Sequence, residues 1–367
     1  MAKKRLQKKR EAAKAETPKI TTKKVQPIKV ETTKTEPVKV ETKKTEPIKV
    51  ETKKVEPAKV ETQKAEAVKV ETAKVESAKV ETKKTETAKV ETTKSEPVKL
   101  ENKRDDDHIY CERLARHLDE LKWLYCELYQ DNPYVTMHLN DLLKVLKKFY
   151  DMRNDALKES DLNREKDPTW YKRNDLTGMM MYVNAFAGTL SNLESKLDYI
   201  QECNVNYLHL MPLLDSPRGR SDGGYAVADF RKVQEELGTM DDFADLTAAC
   251  HKRGINVCLD FVMNHTSEEH EWARRARAGE KEYQDRYFFY DTPDIPQEFE
   301  KTVPQVFPTT APGNFTWREE CKKYVMTSFY PYQWDLNYSN PVVFNEMVYN
   351  MLYLVNQGID IVRIDAV

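Results

Sequence analysis

The sequence predicts an α/β fold with a parallel sheet, preceded by a small all-helical domain and by a long polar arm. Three observations carry this prediction. Four apolar runs alternate with helical patterns in the second half of the chain, two of these runs end in polar and charged residues, and the composition changes abruptly near residue 104. Strands that alternate with helices are typical of parallel α/β architectures.

The arm comprises residues 1–104. It holds 30 basic and 17 acidic residues, against 29 basic and 44 acidic residues in the remainder, and it contains no aromatic residue and no glycine. From Glu31 it repeats every ten residues, as in ETTKTEPVKV, and several repeats carry a proline that interrupts any helix. Because the arm has so little apolar surface to bury, we predict a disordered tether. Its basic start, KKRLQKKR, would also suit nucleic acid, a membrane surface or a wall polymer, but we favour a soluble spacer.

A helical domain is predicted over residues 105–175. Apolar residues recur at three- and four-residue steps in HIYCERLARHLDELKWLYCELY and again in HLNDLLKVLKKFYDMRNDAL, and Asp131-Asn-Pro133 breaks the pattern between them. Nothing in this domain has the pattern of a catalytic motif. Its predicted role is structural.

Residues 176–367 are predicted to alternate between strands and helices. The predicted strands are 179–183, 205–211, 255–262 and 359–365. Predicted helices cover 190–202 and 240–252, and a third begins at Ser339-Asn-Pro341 and ends at Gly358. Proline in a first turn and glycine after a last turn are the expected boundary signals.

Polar residues lie at the carboxyl ends of the last two predicted strands. Asp260, Asn264 and His265 lie at the end of the third strand, and Arg363 and Asp365 at the end of the fourth. An apolar strand that finishes in charge is how a (β/α)8 barrel presents its site. We expect Arg363 to hold the Asp365 carboxylate ionised, as the nucleophile of a retaining glycosidase requires. From the residues alone, a structural Arg–Asp pair at the barrel rim is an equally good explanation.

Two of these segments resemble a known family. DFVMNHTSEEHEWA (260–273) and GIDIVRIDAV (358–367) are similar to the first two signature regions of the α-amylase superfamily, glycoside hydrolase family 13. NREKDPTWY, YLHLMPLLDSPRGRSDGGYAV and YQWDLNYSNPVVF more narrowly resemble the amylosucrases, which split sucrose and pass the glucosyl group to an α-1,4-glucan. The resemblance covers roughly residues 107–367 and implies a (β/α)8 barrel.

The resemblance implies a role for each matching residue. Asp365 matches the nucleophile that forms a covalent glucosyl–enzyme intermediate, and Arg363 is its charge partner. His265 would hydrogen-bond the glucosyl ring and Tyr225 would stack on it. Asp222 would help close the pocket floor through a salt bridge to an arginine further downstream.

The resemblance also assigns the segment between the last two predicted strands. The connection 266–335 resembles the inserted domain that follows the third barrel strand in this family. Tyr332 could line an acceptor subsite. We interpret the remaining polar and aromatic residues as organising or packing residues rather than as contacts to substrate: Asp260, Asn264, His209, Asp360, Trp272 and Trp334.

The sequence ends after the fourth predicted strand, so we expect the N-terminal portion of such an enzyme, with a barrel truncated after that strand. Family members carry a general acid/base Glu after the fifth strand and a stabilising Asp after the seventh. We therefore expect the 367-residue chain to be inactive and to self-associate through an open sheet edge. The alternatives are a sucrose hydrolase, a trehalose synthase, an α-amylase-type hydrolase, or a non-catalytic carbohydrate-binding remnant.

The composition excludes several classes of protein. No stretch reaches the length of a membrane span, the basic start lacks the apolar core of a secretory signal, and the six cysteines form no C-x-x-C pair. We expect a cytoplasmic protein with reduced, buried thiols, without cofactor or metal. Its expected partner is sucrose or an α-glucan, and neither nucleic acid nor a membrane.

Overall fold

The computed structural model describes residues 105–367. The predicted tether, residues 1–104, lies outside the described residues. The helices, in chain order, are α1 (Asp106–Leu128), α2 (Val135–Met152), α3 (Asp155–Lys166), α4 (Val183–Phe186), α5 (Leu190–Glu194), α6 (Leu197–Glu202), α7 (Met240–Lys252), α8 (Glu271–Arg277), α9 (Lys281–Gln284), α10 (Asp294–Glu300) and α11 (Pro341–Val355), with a 3₁₀ turn at Trp170–Lys172.

The strands are short, and most belong to small separate sheets. In chain order they are β1 (Gly178–Met181), β2 (Tyr207–Leu210), β3 (Leu214–Asp215), β4 (Asp229–Val233), β5 (Asn256–Val262), β6 (His265–Ser267), β7 (Phe289–Tyr290), β8 (Phe315–Arg318), β9 (Lys323–Met326), β10 (Gln333–Asp335) and β11 (Ile361–Asp365).

The main sheet has four parallel strands in the order β1-β2-β5-β11. These are the four strands that the sequence predicts, in the predicted order. The sheet is open, with β1 and β11 at its edges, so the described residues form no closed barrel. β5 lies between β2 and β11 and packs against α7, and it is buried along nearly its whole length, in agreement with its largely apolar sequence.

The predicted helix boundaries are confirmed for α7 and for the proline start of α11, and the helix predicted at 190–202 is corrected. The Thr239 hydroxyl accepts from the backbone N–H of Asp242 at 3.1 Å, and the Asp242 carboxylate accepts from the N–H of Thr239 at 2.7 Å, so a capping box fixes the start of α7. The predicted helix 190–202 is instead two short helices, α5 and α6. Residues 183–186 form α4, so the first strand ends earlier than predicted.

Three helices precede the sheet, one more than the sequence patterns separate. The Asn154 side chain accepts from the backbone N–H of Leu157 at 2.9 Å and thereby starts α3 as an independent helix. Tyr125 and Leu142 of this helical part are buried in a small apolar cluster against Phe344 of α11. The helical part therefore packs directly on a helix of the sheet region.

The segment 266–335 carries its own three-stranded antiparallel sheet, in the order β7-β9-β8. At its base β6 and β10 pair in antiparallel fashion, with Ser267 opposite Gln333. Trp334 is fully buried and meets the rings of Tyr287 and Phe289 edge-on at 5.5 Å. The packing interpretation of this tryptophan is confirmed.

Within residues 105–367 no helix is long and apolar enough to cross a membrane. The six cysteines are all free, and only Cys250 and Cys258 are buried. The expectation that the thiols are buried is wrong for Cys111, Cys126 and Cys203, which are exposed on helices or at a helix end.

Candidate active site

The polar residues predicted at the strand ends lie together at the carboxyl edge of the main sheet. β5 and β11 pair in register, so that Arg363 lies opposite Asp260 and Asp365 lies opposite Val262. Side chains alternate along a strand, and Arg363 and Asp365 therefore share a face. The sheet register itself brings the predicted cluster together.

Asp260 is the buried centre of this cluster, and its side chain is completely inaccessible. One carboxylate oxygen lies 3.0 Å from Nε2 of His209 on β2, and the other accepts a hydrogen bond from Arg363. A buried carboxylate is stable only when it is paired in this way. The structural interpretation of Asp260 and His209 agrees with these contacts, which join three neighbouring strands.

Asp365 lies at the exposed side of the same cluster. Its carboxylate is 2.9 Å from Nη1 of Arg363, and 19% of its side chain is accessible. Burial raises the pKa of Asp365 above its ordinary value, and the opposing effect of Arg363 does not offset it. Arg363 lowers the pKa of Asp365, as expected, but burial has the larger effect and the net shift is upward. The reason is that Arg363 is bound chiefly by Asp260, whose hydrogen bond raises the pKa of the guanidinium.

Tyr225 connects the cluster to the loop that precedes β4. Its hydroxyl oxygen accepts a hydrogen bond from Nη1 of Arg363 at 3.2 Å, and its ring centroid lies 6.0 Å from the guanidinium carbon. The ring is only half-buried.

His265 is 1% exposed, and both of its ring nitrogens have protein partners. Nδ1 lies 3.3 Å from the Asn264 amide nitrogen, which also donates to Asp335 at 2.9 Å. Nε2 lies 3.2 Å from the carbonyl oxygen of Tyr225. Nε2 also lies 3.0 Å from the Gln333 amide nitrogen. Burial lowers the pKa of His265 to about 4, so the ring is neutral.

Asp222 adopts a left-handed backbone conformation with φ of 50°. Its carboxylate accepts from the Gln333 amide at 3.1 Å, and this is its closest polar partner among residues 105–367. Gly224, two residues later, has φ of 95°, and an added Cβ would lie 2.8 Å from Cβ of Pro212. The SDGGYAV turn therefore needs its glycines to bring Asp222 and Tyr225 to the site.

Sequence reasoning missed the residues that hold this loop in place. The Glu268 side chain is buried between Arg220, with which it is hydrogen-bonded, and Arg318, at 2.9 Å. Gln333 joins Asp222 to the inserted segment. A charged residue directly after a buried strand was the available signal for Glu268, whereas nothing in the local pattern distinguishes Gln333.

A row of aromatic rings borders the site on the side of the inserted segment. The rings of Tyr330 and Tyr332 are parallel, with an interplanar angle of 3° and centroids 5.2 Å apart, and Phe307 lies 4.9 Å from Tyr330. All three are half-buried. Trp272, by contrast, is 8% exposed and packs beneath the Arg286 guanidinium. Residues 105–367 contain no cluster of three or more side chains that could hold a metal ion.

Comparison with known proteins adds a family to this geometry. A family model described as the alpha-amylase catalytic domain matches residues 146–367. The chain is 38% identical over 181 residues to a trehalose synthase of Pimelobacter sp. (strain R48), a match that covers 49% of this chain and 30% of the relative. It is also 38% identical over 185 residues to Maltase 1 of Drosophila virilis, covering 49% of this chain and 28% of the relative.

Among solved structures, an isomaltulose synthase mutant from Erwinia rhapontici NX5 in complex with D-glucose is similar, with 27% sequence identity and a TM-score of 0.48. That match covers 54% of this chain and 35% of the other. The matched segment thus spans about a third or less of the length of each of these proteins.

Proposed function

The chain belongs to the family of alpha-amylase catalytic domains, and from that premise we propose that it carries the nucleophile and the glucosyl-binding pocket of a retaining α-glucoside-processing enzyme. The observation that carries the proposal is the cluster of Asp365, Arg363 and Asp260 at the carboxyl edge of a parallel sheet. Such an edge is where barrel enzymes hold their reactive groups.

In this proposal Asp365 attacks the anomeric carbon of an α-glucoside. Its carboxylate oxygen forms a bond to that carbon, and the bond to the leaving oxygen breaks. Arg363 holds the attacking carboxylate in place at 2.9 Å. Asp260 and His209 fix Arg363 in turn, so the nucleophile is positioned through three strands rather than by its own loop.

The glucosyl ring would lie between Tyr225 and the loop that carries Asp222. The half-exposed Tyr225 ring offers a stacking surface, and Asp222 offers acceptor oxygens for hydroxyl groups. His265 forms the wall of this pocket, where its Nε2 is already within reach of the Tyr225 carbonyl. A direct hydrogen bond from His265 to the sugar would therefore require that Tyr225 shift.

For the substrate we propose sucrose, with amylosucrase-like transfer of the glucosyl group to a glucan. The support is the resemblance of YLHLMPLLDSPRGRSDGGYAV and YQWDLNYSNPVVF to the amylosucrases, together with the parallel rings of Tyr330 and Tyr332 as a platform for an acceptor sugar. The names of the similar proteins, trehalose synthase and maltase, favour related disaccharide chemistry as the second candidate.

A retaining mechanism needs a second carboxylic acid about 5–5.5 Å from the nucleophile. The carboxylates that act most strongly on Asp365 are those of Asp260 and Asp222. Asp260 is inaccessible and ion-paired, and Asp222 is hydrogen-bonded to Gln333. Neither is free to protonate a leaving group, so we propose that residues 105–367 alone do not turn over ordinary glucosides.

The experiment that tests the nucleophile avoids this requirement. Fluoride leaves without protonation, so 5-fluoro-α-D-glucosyl fluoride should transfer its fluoroglucosyl group to Asp365 and release fluoride. Intact mass spectrometry of the 367-residue chain should show one added fluoroglucosyl group, on the peptide that contains Asp365.

The matched control is Asp365→Asn, which keeps the size of the side chain and should remain unlabelled. Asp360→Asn, just before the same strand, should still be labelled if it folds. Labelling of the Asp365→Asn variant, or of a peptide without Asp365, would contradict the assignment. Circular dichroism of each variant separates loss of labelling from loss of fold.

We also propose that the edge strand β11 mediates self-association. Ile364 is 42% exposed on this strand, and an unpaired apolar edge is a template for another strand. Ile364→Lys should shift the 367-residue chain towards the monomer in sedimentation velocity. An unchanged distribution of species would count against the edge as the interface.

A further inference from the structure

A second cavity of about 440 Å³ lies away from the Asp365 cluster, between β4, α8 and the middle of α11. None of the residues assigned above to the active site lines it. Two of its lining side chains, His270 and Asn350, are more than nine-tenths buried. The cavity is within the usual size range of small-molecule sites.

His270 presents a hydrogen-bond donor to this cavity. The ring is 7% exposed, and its Nδ1 accepts from the backbone N–H of Trp272 at 3.2 Å. Burial, together with the nearby arginines Arg231, Arg286 and Arg274, lowers the pKa of His270 to about 3. The neutral ring must therefore carry its proton on Nε2, which has no hydrogen-bond partner within residues 105–367.

Asn350, on α11, is 5% exposed and lines the same cavity. Its side-chain amide makes no hydrogen bond to any residue in the described part of the chain. Neither its amide atoms nor Nε2 of His270 is among the fully buried, unpartnered side-chain atoms of residues 105–367, so both groups reach the open space of the cavity. A bound molecule would satisfy both Asn350 and Nε2 of His270.

Arg231 and Arg274 supply positive charge at the rim. Neither has a carboxylate within salt-bridge distance in the described region, although the Arg231 guanidinium lies 5.9 Å from the Tyr349 ring centroid. Other rim charges are paired, for example Lys232 with Asp215 at 3.9 Å. Two free guanidinium groups beside a neutral imidazole N–H are suited to an oxyanion.

Carboxylates restrict the kind of oxyanion. Five of them line the cavity: Asp215, Glu269 and Glu271 each lie 3.9 Å from a basic side chain, whereas Asp229 and Glu346 have no such partner among residues 105–367. These carboxylates would repel a highly charged anion but can accept hydrogen bonds from hydroxyl groups. The volume also exceeds what an inorganic phosphate fills. A ligand with one anionic group and several hydroxyls would pair with the arginines and His270 through the anion and with the carboxylates through its hydroxyls.

We propose that this cavity binds a sugar monophosphate, with the phosphoryl group at Arg231, Arg274 and His270 and the hydroxyls at Asn350, Asp229 and Glu346. The site is separate from the proposed glucosyl-transfer site and does not depend on that function. It would allow a phosphorylated sugar to bind this domain while Asp365 remains free.

Titration calorimetry of the 367-residue chain with glucose 6-phosphate, inorganic phosphate and glucose tests the proposal. Glucose 6-phosphate should bind at least about tenfold more tightly than either of the other two compounds, because each lacks one set of contacts. If inorganic phosphate binds as tightly as glucose 6-phosphate, the cavity recognises only the oxyanion, and the proposed contacts to the sugar hydroxyls are wrong. Binding of glucose alone, or of none of the three, would overturn the whole proposal.

Variants locate the binding and separate it from folding. Arg274→Gln, at an exposed position, should weaken glucose 6-phosphate binding about tenfold, as expected for one charged hydrogen bond. Arg275→Gln, on the same helix but outside the cavity, should leave the affinity unchanged. Equal effects of the two variants would contradict the assignment.

Asn350→Leu provides a test that a structural role cannot imitate. The variant removes an amide without a partner and keeps a similar side-chain volume, so the thermal midpoint should stay the same or rise while glucose 6-phosphate binding falls. A lower midpoint with unchanged affinity would show that the amide serves the fold and not a ligand.

Discussion

The two ends of β11 carry aspartates in opposite environments. Asp360, just before the strand, is 2% exposed and has three partners: Arg164 at 2.5 Å, His251 at 2.9 Å and the backbone N–H of Val257 at 2.7 Å. Asp365, at the other end, is partly accessible, and its one charged partner within residues 105–367 is Arg363, which it shares with Asp260. The same residue type is thus held by several partners at the amino end and by one partner, within reach of solvent, at the carboxyl end.

The electrostatics of the two carboxyl groups differ accordingly. Burial raises the pKa of Asp360, but His251, Arg164 and the Val257 N–H together outweigh it, and its pKa lies below the ordinary value. For Asp365, burial outweighs its single partner and the pKa is raised. The comparison teaches that the number of partners, and not burial alone, decides which form the fold favours.

The largest expected effect is that of removing Asp360. Asp360→Ala leaves Arg164 and His251 without their shared carboxylate and should lower the free energy of unfolding by about 3–5 kcal/mol. Asp365→Ala should have a much smaller effect. Urea unfolding of both variants, followed by tryptophan fluorescence, checks the difference. An equal loss of unfolding free energy in both variants would show that Asp360 and Asp365 contribute equally to stability, contrary to this comparison.

The pH dependence should have opposite signs at the two ends. The depressed pKa of Asp360 means that its stabilisation is present above the unfolded value of about 3.8 and is lost as the pH falls through the folded pKa. The raised pKa of Asp365 means that stability is lost as the pH rises through its folded pKa. Measured from acid towards neutral pH, Asp360→Asn should become increasingly destabilising and Asp365→Asn increasingly stabilising.

A smaller effect is expected for His209, which connects the second strand to the site. His209→Leu removes one of two partners of Asp260 and should cost about 1–2 kcal/mol. Because Arg363 loses part of its support, labelling by the glucosyl fluoride should also slow several-fold. His117→Leu, an exposed position on α1, is the control and should alter neither quantity.

The smallest expected effect is that of the arm. Deletion of residues 1–104 should leave the free energy of unfolding of the remainder unchanged, because the repeats have too little apolar surface to pack on it. Chemical denaturation of both chains measures this directly. A loss of about 1 kcal/mol or more would show that the repeats contribute to the folded state.

Much of this arrangement was predictable from the sequence, because it depends on local patterns. Alternating apolar runs predicted the four strands, and charged residues near the carboxyl ends of β5 and β11 predicted Asp260 and Asp365 as neighbours. The environment of each carboxylate was not predictable. The partners of Asp360 come from residues 164, 251 and 257, and those of Asp260 from residues 209 and 363.

The pairing of strands in the inserted segment, residues 266–335, was also not predictable from the sequence. Its short strands carry no long alternation, so their pairing depends on contacts such as Glu268 with Arg318 that join distant parts of the chain. His270 and Asn350 likewise give no signal in the sequence. A buried histidine and a helix asparagine are ordinary until the fold places both beside one cavity.

The antiparallel pairing of β6 with β10 has a consequence for how such a domain can diversify. Ser267 and Gln333 face each other, so the whole of residues 268–332 leaves the sheet and returns to it at one point. The entropic cost of closing a loop rises only slowly with its length. Segments of different size could therefore be exchanged at the β6–β10 junction, so that the main sheet stays the same while the surface beside the site changes.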